Sequence, residues 1–473
     1  MKQVVMFTPL PPTKTGVAHY ASMLIPALRQ QIDVEAVGEA DLRPATTDLR
    51  IYQLGNNPHH EFVYREAMAH PGVVVLHDVV LHHLIVEMTL ARGDVEGYVS
   101  ALRANHGAAG EAWARGRAAG LHSEMGNFLL PASIDVANRS RAVIVHNQYA
   151  ADVLRSHGVR TPIHVVPHPY LPQPATQTRG SETNERVIGL FGFLNSSKRP
   201  EVVLEAFAQA RARDPRLRLL VVGDPAPNID VAAFRSDGIT FTGYVADEEF
   251  ASHYAAVDRL VNLRYPTAGE TSGTLIRAFD AGKPVAVSDY AQFAEMPNDC
   301  VVKIPLGEGE VAALAEFFVR DLPDPSAAQR RWLEENARME LTVKGYLEAL
   351  SGAQAILPAR ADKIVCAPPT LPLFPRLELL GLTGNTLTIR NEGESTLRTR
   401  VYGFPGYRLI AKIFYNGGEI YDRWLEFPCD LAPGETATVE LPGTLGSGTL
   451  ALYHAMEGIP MLAPEAWARV AIQ

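Results

Sequence analysis

Short apolar runs alternate with longer amphipathic stretches through residues 1–170 of the chain. Runs rich in β-branched residues predict strands buried on both faces, and apolar residues every three or four positions predict helices between them, as in Val17–Gln30. This alternation is typical of a doubly wound parallel sheet. The predicted strands are Val4–Phe7, Asp33–Val37, Leu49–Leu54, Val73–Leu76, Ala142–His146 and Ile163–Val166.

The alternation pauses at residues 171–185, a polar stretch with prolines that predicts a linker, and then restarts over 186–352. Helical segments from Glu308 to Leu350 are expected to close this second domain. Two such sheets would face a cleft, where the carboxyl ends of parallel strands collect ligands. The strands predicted for the second sheet are Arg186–Phe191, Arg218–Val222, Ile239–Thr242, Arg259–Leu263 and Val285–Ser288.

Residues 363–473 have a different pattern, with short alternating runs separated by Asn-Gly, Pro-Gly and Gly-Ser turn signals. Such a pattern predicts an all-β sandwich. The sequence therefore predicts an α/β protein with two Rossmann-like doubly wound domains facing a cleft, residues 1–170 and 186–352, plus a C-terminal all-β sandwich domain.

Composition narrows the partners and the compartment. The chain has 473 residues, 47% hydrophobic and 20% charged, which is typical of a soluble globular protein. A net charge of −10 argues against a nucleic-acid partner and allows at most peripheral membrane contact. Three widely spaced cysteines, Cys300, Cys366 and Cys429, favour a reducing compartment, and prolines interrupt the first residues too early for a signal peptide. A cytoplasmic location is expected.

The strongest candidate for chemistry follows the predicted strand Arg259–Leu263. Glu270 precedes Thr271, Ser272 and Gly273 at the predicted start of a helix. Threonine and serine favour the N-cap, and glycine lets a ligand approach the backbone. A carboxylate beside free helix amides can bind a sugar hydroxyl and a phosphate together. The pattern fits a site for a sugar attached to a diphosphate, and equally a capped turn without a ligand.

Three other strand ends carry candidate residues. Lys198 and Arg199 follow the first strand of the second sheet, where cations and a helix start would favour a phosphate. Gly16 follows the first strand of the chain and opens a helix that could contact a phosphate or an acceptor, or be a plain turn. His77 ends a buried strand and could bind a sugar hydroxyl or move a proton, or be structural.

Two missing patterns argue against other chemistry. The chain contains no GxGxxG pattern, which disfavours nicotinamide chemistry. It contains no Asp-x-Asp pattern, so a divalent metal on a diphosphate has no obvious ligands. We expect no metal and no cofactor, with charge on a departing diphosphate stabilised instead by Lys198, Arg199 and the helix start.

Together these segments resemble the retaining GT-B glycosyltransferases of family four, over about residues 1–350. The resemblance lies in GLFGFLNSSKRPEVVLEAF, LRLLVVGD, ITFTGYVADEEF and RYPTAGETSGTLIRAFDAGKPVAVSD. It implies a nucleotide-diphosphate sugar donor on the second domain, an acceptor hydroxyl facing the first, and retained anomeric configuration. The C-terminal module faintly resembles modules of bacterial surface-polysaccharide proteins. That likeness implies polysaccharide or glycoconjugate assembly. We expect a glycan, a lipid-linked compound or another hydroxyl compound as the acceptor, and a glycan or a protein as the partner of the C-terminal module.

The resemblance assigns roles to individual residues. Lys198 stands where the family has a lysine that contacts the donor diphosphate, whereas Phe193 stands at the position of its partner arginine, which leaves Arg199 as the substitute. Glu270 matches the first of two family glutamates, the one that touches the donor sugar. Arg277 stands where the second, which touches the ribose, is expected. The family pattern for ribose recognition is therefore not retained.

Two other functions stay open. One is a GT-B sugar-nucleotide epimerase or hydrolase that uses no acceptor; the appended β-module argues against it, because such an enzyme needs no second docking surface. The other is an inactive protein that binds a glycan or a protein partner, an interpretation that the departures at Phe193 and Arg277 favour. The matches at Lys198, Glu270 and His77, which resembles the family's strand-end histidine, favour the transferase.

Overall fold

The computed structural model describes residues 3–13, 15–43, 47–120, 125–172, 185–227, 229–234, 236–245, 247–353, 377–392, 407–414, 420–425, 431–441, 448–456, 459–460 and 468–472. Most of the predicted linker, residues 173–184, lies outside this part of the chain. The chain falls into two compact units. One comprises Met1–Leu84 and Asp135–Asp362, and the other comprises Ile85–Ile134 and Lys363–Gln473.

The first unit contains two parallel six-stranded sheets, as the apolar runs predict. The first sheet has the order β2-β1-β3-β4-β5-β6, and all of its pairings are parallel. Its central strands are buried on both faces because helices cover both sides. The strands are β1 (Gln3–Phe7), β2 (Asp33–Val37), β3 (Arg50–Leu54), β4 (Val73–Leu76), β5 (Ala142–Val145) and β6 (Ile163–Val165).

The second sheet has the order β12-β11-β10-β7-β8-β9. The order in which strands are added to the sheet therefore reverses between β10 and β7. Ligands of doubly wound sheets bind where the order reverses. The edge strand β12, which has Lys303 between two apolar residues, was not predicted. The strands are β7 (Arg186–Phe191), β8 (Leu217–Val222), β9 (Ile239–Phe241), β10 (Arg259–Asn262), β11 (Val285–Ser288) and β12 (Val302–Ile304).

Helices with one apolar face cover the sheets of the first unit. None of the helices that the structure describes combines the length and apolarity needed to cross a bilayer. These helices are α1 (Gly16–Arg29), α2 (Glu61–Ala69), α6 (Ile134–Arg139), α7 (Gln148–Ser156), α8 (Pro200–Arg213), α9 (Asp247–Ala256), α10 (Gly273–Asp280), α11 (Ala291–Ala294), α12 (Glu310–Val319), α13 (Ser326–Asn336) and α14 (Met339–Ala353), while α3 (His82–Met88) begins in this unit.

The last helix of the unit corrects one expectation. Helices up to Leu350 were expected to close the second domain, but α14 crosses back and packs into the core of the first. Val343, Tyr346 and Leu350 form one apolar stripe that is buried with β1, β4 and β5. The Tyr346 hydroxyl also lies 2.9 Å from that of Tyr20 on α1. The spacing predicts the stripe but not which sheet covers it.

The second unit contains helices α4 (Val95–Ala118) and α5 (Met125–Leu129) and the C-terminal strands. The strands pair antiparallel, which confirms the appended β-module. Packing of its sheets as a sandwich stays a prediction. The strands are β13 (Leu377–Thr383), β14 (Thr386–Asn391), β15 (Tyr407–Phe414), β16 (Ile420–Leu425), β17 (Thr436–Glu440), β18 (Gly448–Met456), β19 (Ile459–Pro460) and β20 (Ala468–Ile472).

Candidate functional site

The loops after β4 and β10 meet across the two parallel sheets. The backbone N–H groups of Val79 and Val80 donate to the carbonyl of Ala268 at 2.8 and 3.1 Å. Gly269 has φ +78°, and a Cβ there would lie 2.5 Å from Cγ1 of Val79. Only glycine fits both the backbone conformation and this close approach. The loop that carries Glu270 is therefore held directly against the loop that follows His77.

The Glu270 carboxylate is fixed by its own loop. Oε1 lies 2.7 Å from Nε of Arg264 as an ion pair, although the N–H is not aligned on the oxygen. Oε2 accepts hydrogen bonds from the Thr267 hydroxyl at 2.9 Å and from the Ala268 N–H at 3.0 Å. The side chain keeps 25% of its surface exposed. The carboxylate is thus oriented in advance and still reachable by a ligand.

Helix α10 begins where the sequence predicts. Ser272 is its N-cap, with Oγ accepting from the Leu275 N–H at 3.3 Å, and Thr271 precedes it. A Cβ on Gly273 would meet no atom within 4 Å, so the space at the helix start is open. Amides of a first helical turn have no partner within the helix and favour an anion. Ligand contact by Thr271, Ser272 and Gly273 stays a prediction.

Lys198 lies at the end of a tight turn, Ser196–Lys198, after β7. Its side chain is buried, with 6% exposed, and its ammonium donates to the carbonyl of Phe191. Burial lowers the pKa of Lys198 well below its usual range, Arg264 lowers it further, and Glu270 opposes the shift. Burial and the nearby Arg264 both disfavour the charged form of Lys198, so an incoming diphosphate would stabilise that charged form.

The side chain of Arg199 is paired with Glu310. Its guanidinium forms two hydrogen bonds with the carboxylate of Glu310, at 3.2 and 2.7 Å, and Glu310 is fully buried. The residue itself has φ +59° at the N-cap of α8. Phosphate contact by Arg199 stays a prediction, and the guanidinium would have to exchange Glu310 for the phosphate. Arg264, which sequence reasoning missed, is the arginine beside Lys198 and Glu270.

His77 ends β4 within a cluster of buried rings. Nε2 lies 2.9 Å from Oε1 of Gln53, which can only accept, so Nε2 carries the hydrogen and Nδ1 is left as an acceptor. The ring contacts Tyr20 edge-on, with centroids 4.5 Å apart. Burial lowers the pKa of His77 well below its usual range, and neighbouring histidines, chiefly His146, lower it further. A neutral His77 can accept a hydrogen bond from a hydroxyl.

Asp78 places a second carboxylate near Glu270. Its Oδ2 accepts from the Asn56 N–H at 2.7 Å. Burial raises the pKa of Asp78 to about 7, and Glu270 contributes to the shift. The structure therefore brings an acidic residue from each sheet to the same place. The pair His77-Asp78 is visible in the sequence at the strand end, but the approach of Glu270 is not.

The remaining predicted positions lie around this centre. Gly16 is the first residue of α1, and a Cβ on it would meet no atom within 4 Å, so its surroundings are open to a ligand. Thr15 caps that helix through the N–H of Ala18. Phe193 is 56% exposed, and the guanidinium of Arg277 lies 5.2 Å from the ring centroid of Phe250. Their effect on nucleotide recognition stays untested.

Two polar residues that the sequence did not single out hold the Glu270 loop. Gln292, on α11, donates to the Thr267 hydroxyl at 2.7 Å and to the Glu270 carbonyl at 2.8 Å. Asn147, before α7, donates to the Gly269 carbonyl at 2.9 Å. In the sequence, the only feature that could have identified them is an amide side chain that follows an apolar strand. Within the described ranges, no three histidine, cysteine or acidic residues are grouped as metal ligands, and metal independence stays a prediction.

Comparison with known proteins finds a family that matches part of the chain. Residues 185–322, most of the second domain, match the family described as Glycosyl transferases group 1. The 2-deoxystreptamine glucosyltransferase of Streptomyces kanamyceticus is 29% identical over 160 residues, which are 32% of this chain and 41% of that protein. The chain thus spans about two fifths of that relative's length.

A solved structure supports the fold. Alr3699/HepE of Anabaena in complex with UDP and glucose has a TM-score of 0.50 and 14% identity, covering 74% of this chain and 100% of that one. The same protein in complex with UDP-glucose has a TM-score of 0.49 and 15% identity, covering 74% and 99%. The first likeness confirms the two-domain GT-B architecture.

Proposed function

We propose that this chain is a glycosyltransferase that moves a sugar from a nucleotide-diphosphate sugar to an acceptor hydroxyl. The observation that carries the proposal is the meeting of Lys198, Arg264 and Glu270 at the start of α10, opposite His77. Two buried cations and a helix start suit a diphosphate, and a fixed carboxylate suits sugar hydroxyls. The match of residues 185–322 to a glycosyltransferase family supports the same function.

Each group has a distinct role in the proposed reaction. Lys198, Arg264 and the amides of Thr271 to Gly273 stabilise the charge that develops on the departing diphosphate. Glu270 binds hydroxyls of the donor sugar. His77, neutral and with Nδ1 free to accept, orients a hydroxyl in the cleft from the side of the first domain.

We further propose that the anomeric configuration is retained. The bond between the anomeric carbon and the diphosphate oxygen breaks, and the acceptor oxygen bonds to the same face of that carbon. The departing phosphate oxygen takes the proton of the acceptor hydroxyl. In this scheme the fixed cations take the place of a divalent metal. We place the reaction in the assembly of a bacterial surface polysaccharide or glycoconjugate.

The direct test is incubation of the protein with UDP- and GDP-sugars and hydroxyl acceptors, with EDTA present. Proton NMR of the product gives the anomeric configuration. A retained linkage formed with EDTA is expected. An inverted linkage, or transfer that stops until Mg²⁺ is restored, would contradict the mechanism, and release of free sugar alone would point to a hydrolase.

A further inference from the structure

A cavity of about 550 Å³ lies behind the Glu270 loop within the first unit. On one side it is lined by His146 and by Val165–His168 of the first domain, and on the other by residues of α10, α11 and α13. Thr271 and Ser272, at the start of α10, line it as well. Sites for small molecules have volumes of roughly 300–1,000 Å³. The cavity therefore has the size of a small-molecule site.

The walls are largely apolar. Phe279 and Trp332 meet edge to face there, with ring centroids 5.3 Å apart. Aliphatic and aromatic walls with a few polar groups are typical of sites for small molecules with an apolar ring face. The other apolar side chains that line it are Val165, Val166, Pro167, Leu275, Ile276, Phe293, Met296 and Leu341.

Two side chains lining the cavity have acceptor atoms without a partner among the described residues: Nε2 of His146 and Oε1 of Gln292. His146 is 8% exposed and Gln292 3%. Nδ1 of His146 donates to the Val166 carbonyl at 2.8 Å, so Nε2 carries no hydrogen in the neutral ring. The Gln292 amide nitrogen already has two acceptors, which fixes its oxygen. A buried acceptor without a donor is costly, so both favour a ligand that donates hydrogen bonds.

The charged residues around the cavity select the sign of the ligand. Glu295, Glu335 and Glu348 line it against one ammonium, Lys344, which lies 3.8 Å from Glu348. Lys344 offsets the charge of Glu348, and Glu295 already accepts from two backbone N–H groups at the start of α7, so most of the uncompensated negative charge comes from Glu335. Phosphate or carboxylate groups are disfavoured here, and hydroxyl or ammonium groups are favoured.

The cavity is coupled to the candidate transfer site. Gln292 donates to the Glu270 carbonyl, and the His146 and His77 rings lie 4.9 Å apart. We propose, on the basis of the function proposed above, that this cavity binds the acceptor, and that the acceptor is a small polyhydroxylated ring that is neutral or carries an ammonium group. A phosphorylated or carboxylated acceptor does not fit this chemistry.

The test measures binding without any turnover, with glucosamine, glucose and glucose 6-phosphate as probes of equal ring size. Tryptophan fluorescence reports occupancy, and Trp332→Phe removes the signal if the probe lies in the cavity. Glucosamine is expected to bind at least threefold more tightly than glucose, and glucose 6-phosphate most weakly. Glu335→Lys should weaken glucosamine binding by about threefold to tenfold and change glucose binding less than twofold.

Glu334→Lys is the matched control, because Glu334 lies on the same helix but does not line the cavity. Equal effects of the two lysine variants, tighter binding of glucose 6-phosphate, or a glucosamine-soaked crystal with only water in the cavity would overturn the proposal. Failure of the function is a separate result. If glucosamine binds as described but no sugar nucleotide is ever used, the ligand site in the cavity is supported and the proposed transferase function is contradicted.

Discussion

At the scale of single residues, the site depends on ionisable groups held close together out of water. Lys198 and Arg264 are buried beside one another, and Glu270 contributes the nearby negative charge. Burial favours the neutral forms of Lys198 and Asp78, whereas an opposite charge favours the charged form. The arrangement is poised for a ligand that brings two negative charges.

Removing a single charge should therefore affect transfer more than folding. Lys198→Met keeps the length of the side chain and Glu270→Gln keeps its shape. Each is expected to lower kcat by about a hundredfold to a thousandfold, because a comparable electrostatic contact contributes ~3 kcal/mol in the transition state. Steady-state kinetics with a saturating donor measures the effect, and thermal unfolding checks the fold. Near-normal rates in both variants would remove these residues from the mechanism.

Asp78 should give the stability a distinctive pH dependence. Its pKa is raised to about 7 in the folded state, so the folded protein holds this proton more tightly than the unfolded chain does. Its contribution to stability therefore falls as the pH rises from about 4 to about 7, by about 1.4 kcal/mol per pH unit. Asp78→Asn keeps an oxygen to accept from the Asn56 N–H. We expect urea unfolding to show that the stability of the variant, relative to that of the native protein, increases as the pH rises over this range. If the two curves of stability against pH run parallel, the assignment is contradicted.

At the scale of elements, contacts distant in sequence decide what a side chain can do. The local sequence predicts that Arg199 binds phosphate. In the structure it joins the starts of α8 and α12 through Glu310, 111 residues further on. Likewise, the apolar stripe of α14 was visible, yet only the folded chain shows that it packs on the first sheet. Strands and caps follow from local pattern, whereas long-range pairing does not.

The Arg199–Glu310 pair gives a prediction at this scale. Glu310→Met leaves the Arg199 guanidinium, 14% exposed, without its carboxylate, and should cost about 3–5 kcal/mol. Adding Arg199→Met should restore most of that loss, because an apolar pair needs no compensation. Chemical denaturation of the two single variants and the double variant measures this. If the double variant is no more stable than Glu310→Met, the pair does not act as a unit.

At the scale of the whole molecule, the sequence predicted the two parallel sheets, the β-module and the meeting of strand ends at one site. Apolar runs are long enough to predict strands, and parallel strands bring their carboxyl ends to one edge. It did not predict Arg264, Gln292 or Asn147, because their roles depend on how loops fold and pack. Arg264 and Gln292 contact Glu270 within the second domain, and Asn147 reaches Gly269 from the first domain. The local sequence pattern likewise could not predict the acceptor cavity.

Buried histidines should make the whole protein sensitive to acid. Burial lowers the pKa of His60 to about 4, of His146 to about 4 and of His168 to about 3. The unfolded chain gains these protons below about pH 6.5 and the folded chain does not, so stability falls as the pH drops towards 4, by about 1.4 kcal/mol per unit for each histidine. Unfolding from pH 7.5 to 4.5 should show this slope. His60→Gln should reduce the slope by about 1.4 kcal/mol per unit, and the same change at exposed His59 is the control.

The central claim is that fixed cations and a helix start, with no divalent ion, bind the departing diphosphate. A crystal structure of the protein with UDP or GDP, grown with EDTA, tests it most directly. The account predicts density for the diphosphate against Lys198, Arg264 and the first amides of α10, with the nucleoside held by the second domain. A diphosphate bound away from these groups, or one that binds only with a metal ion, would contradict it.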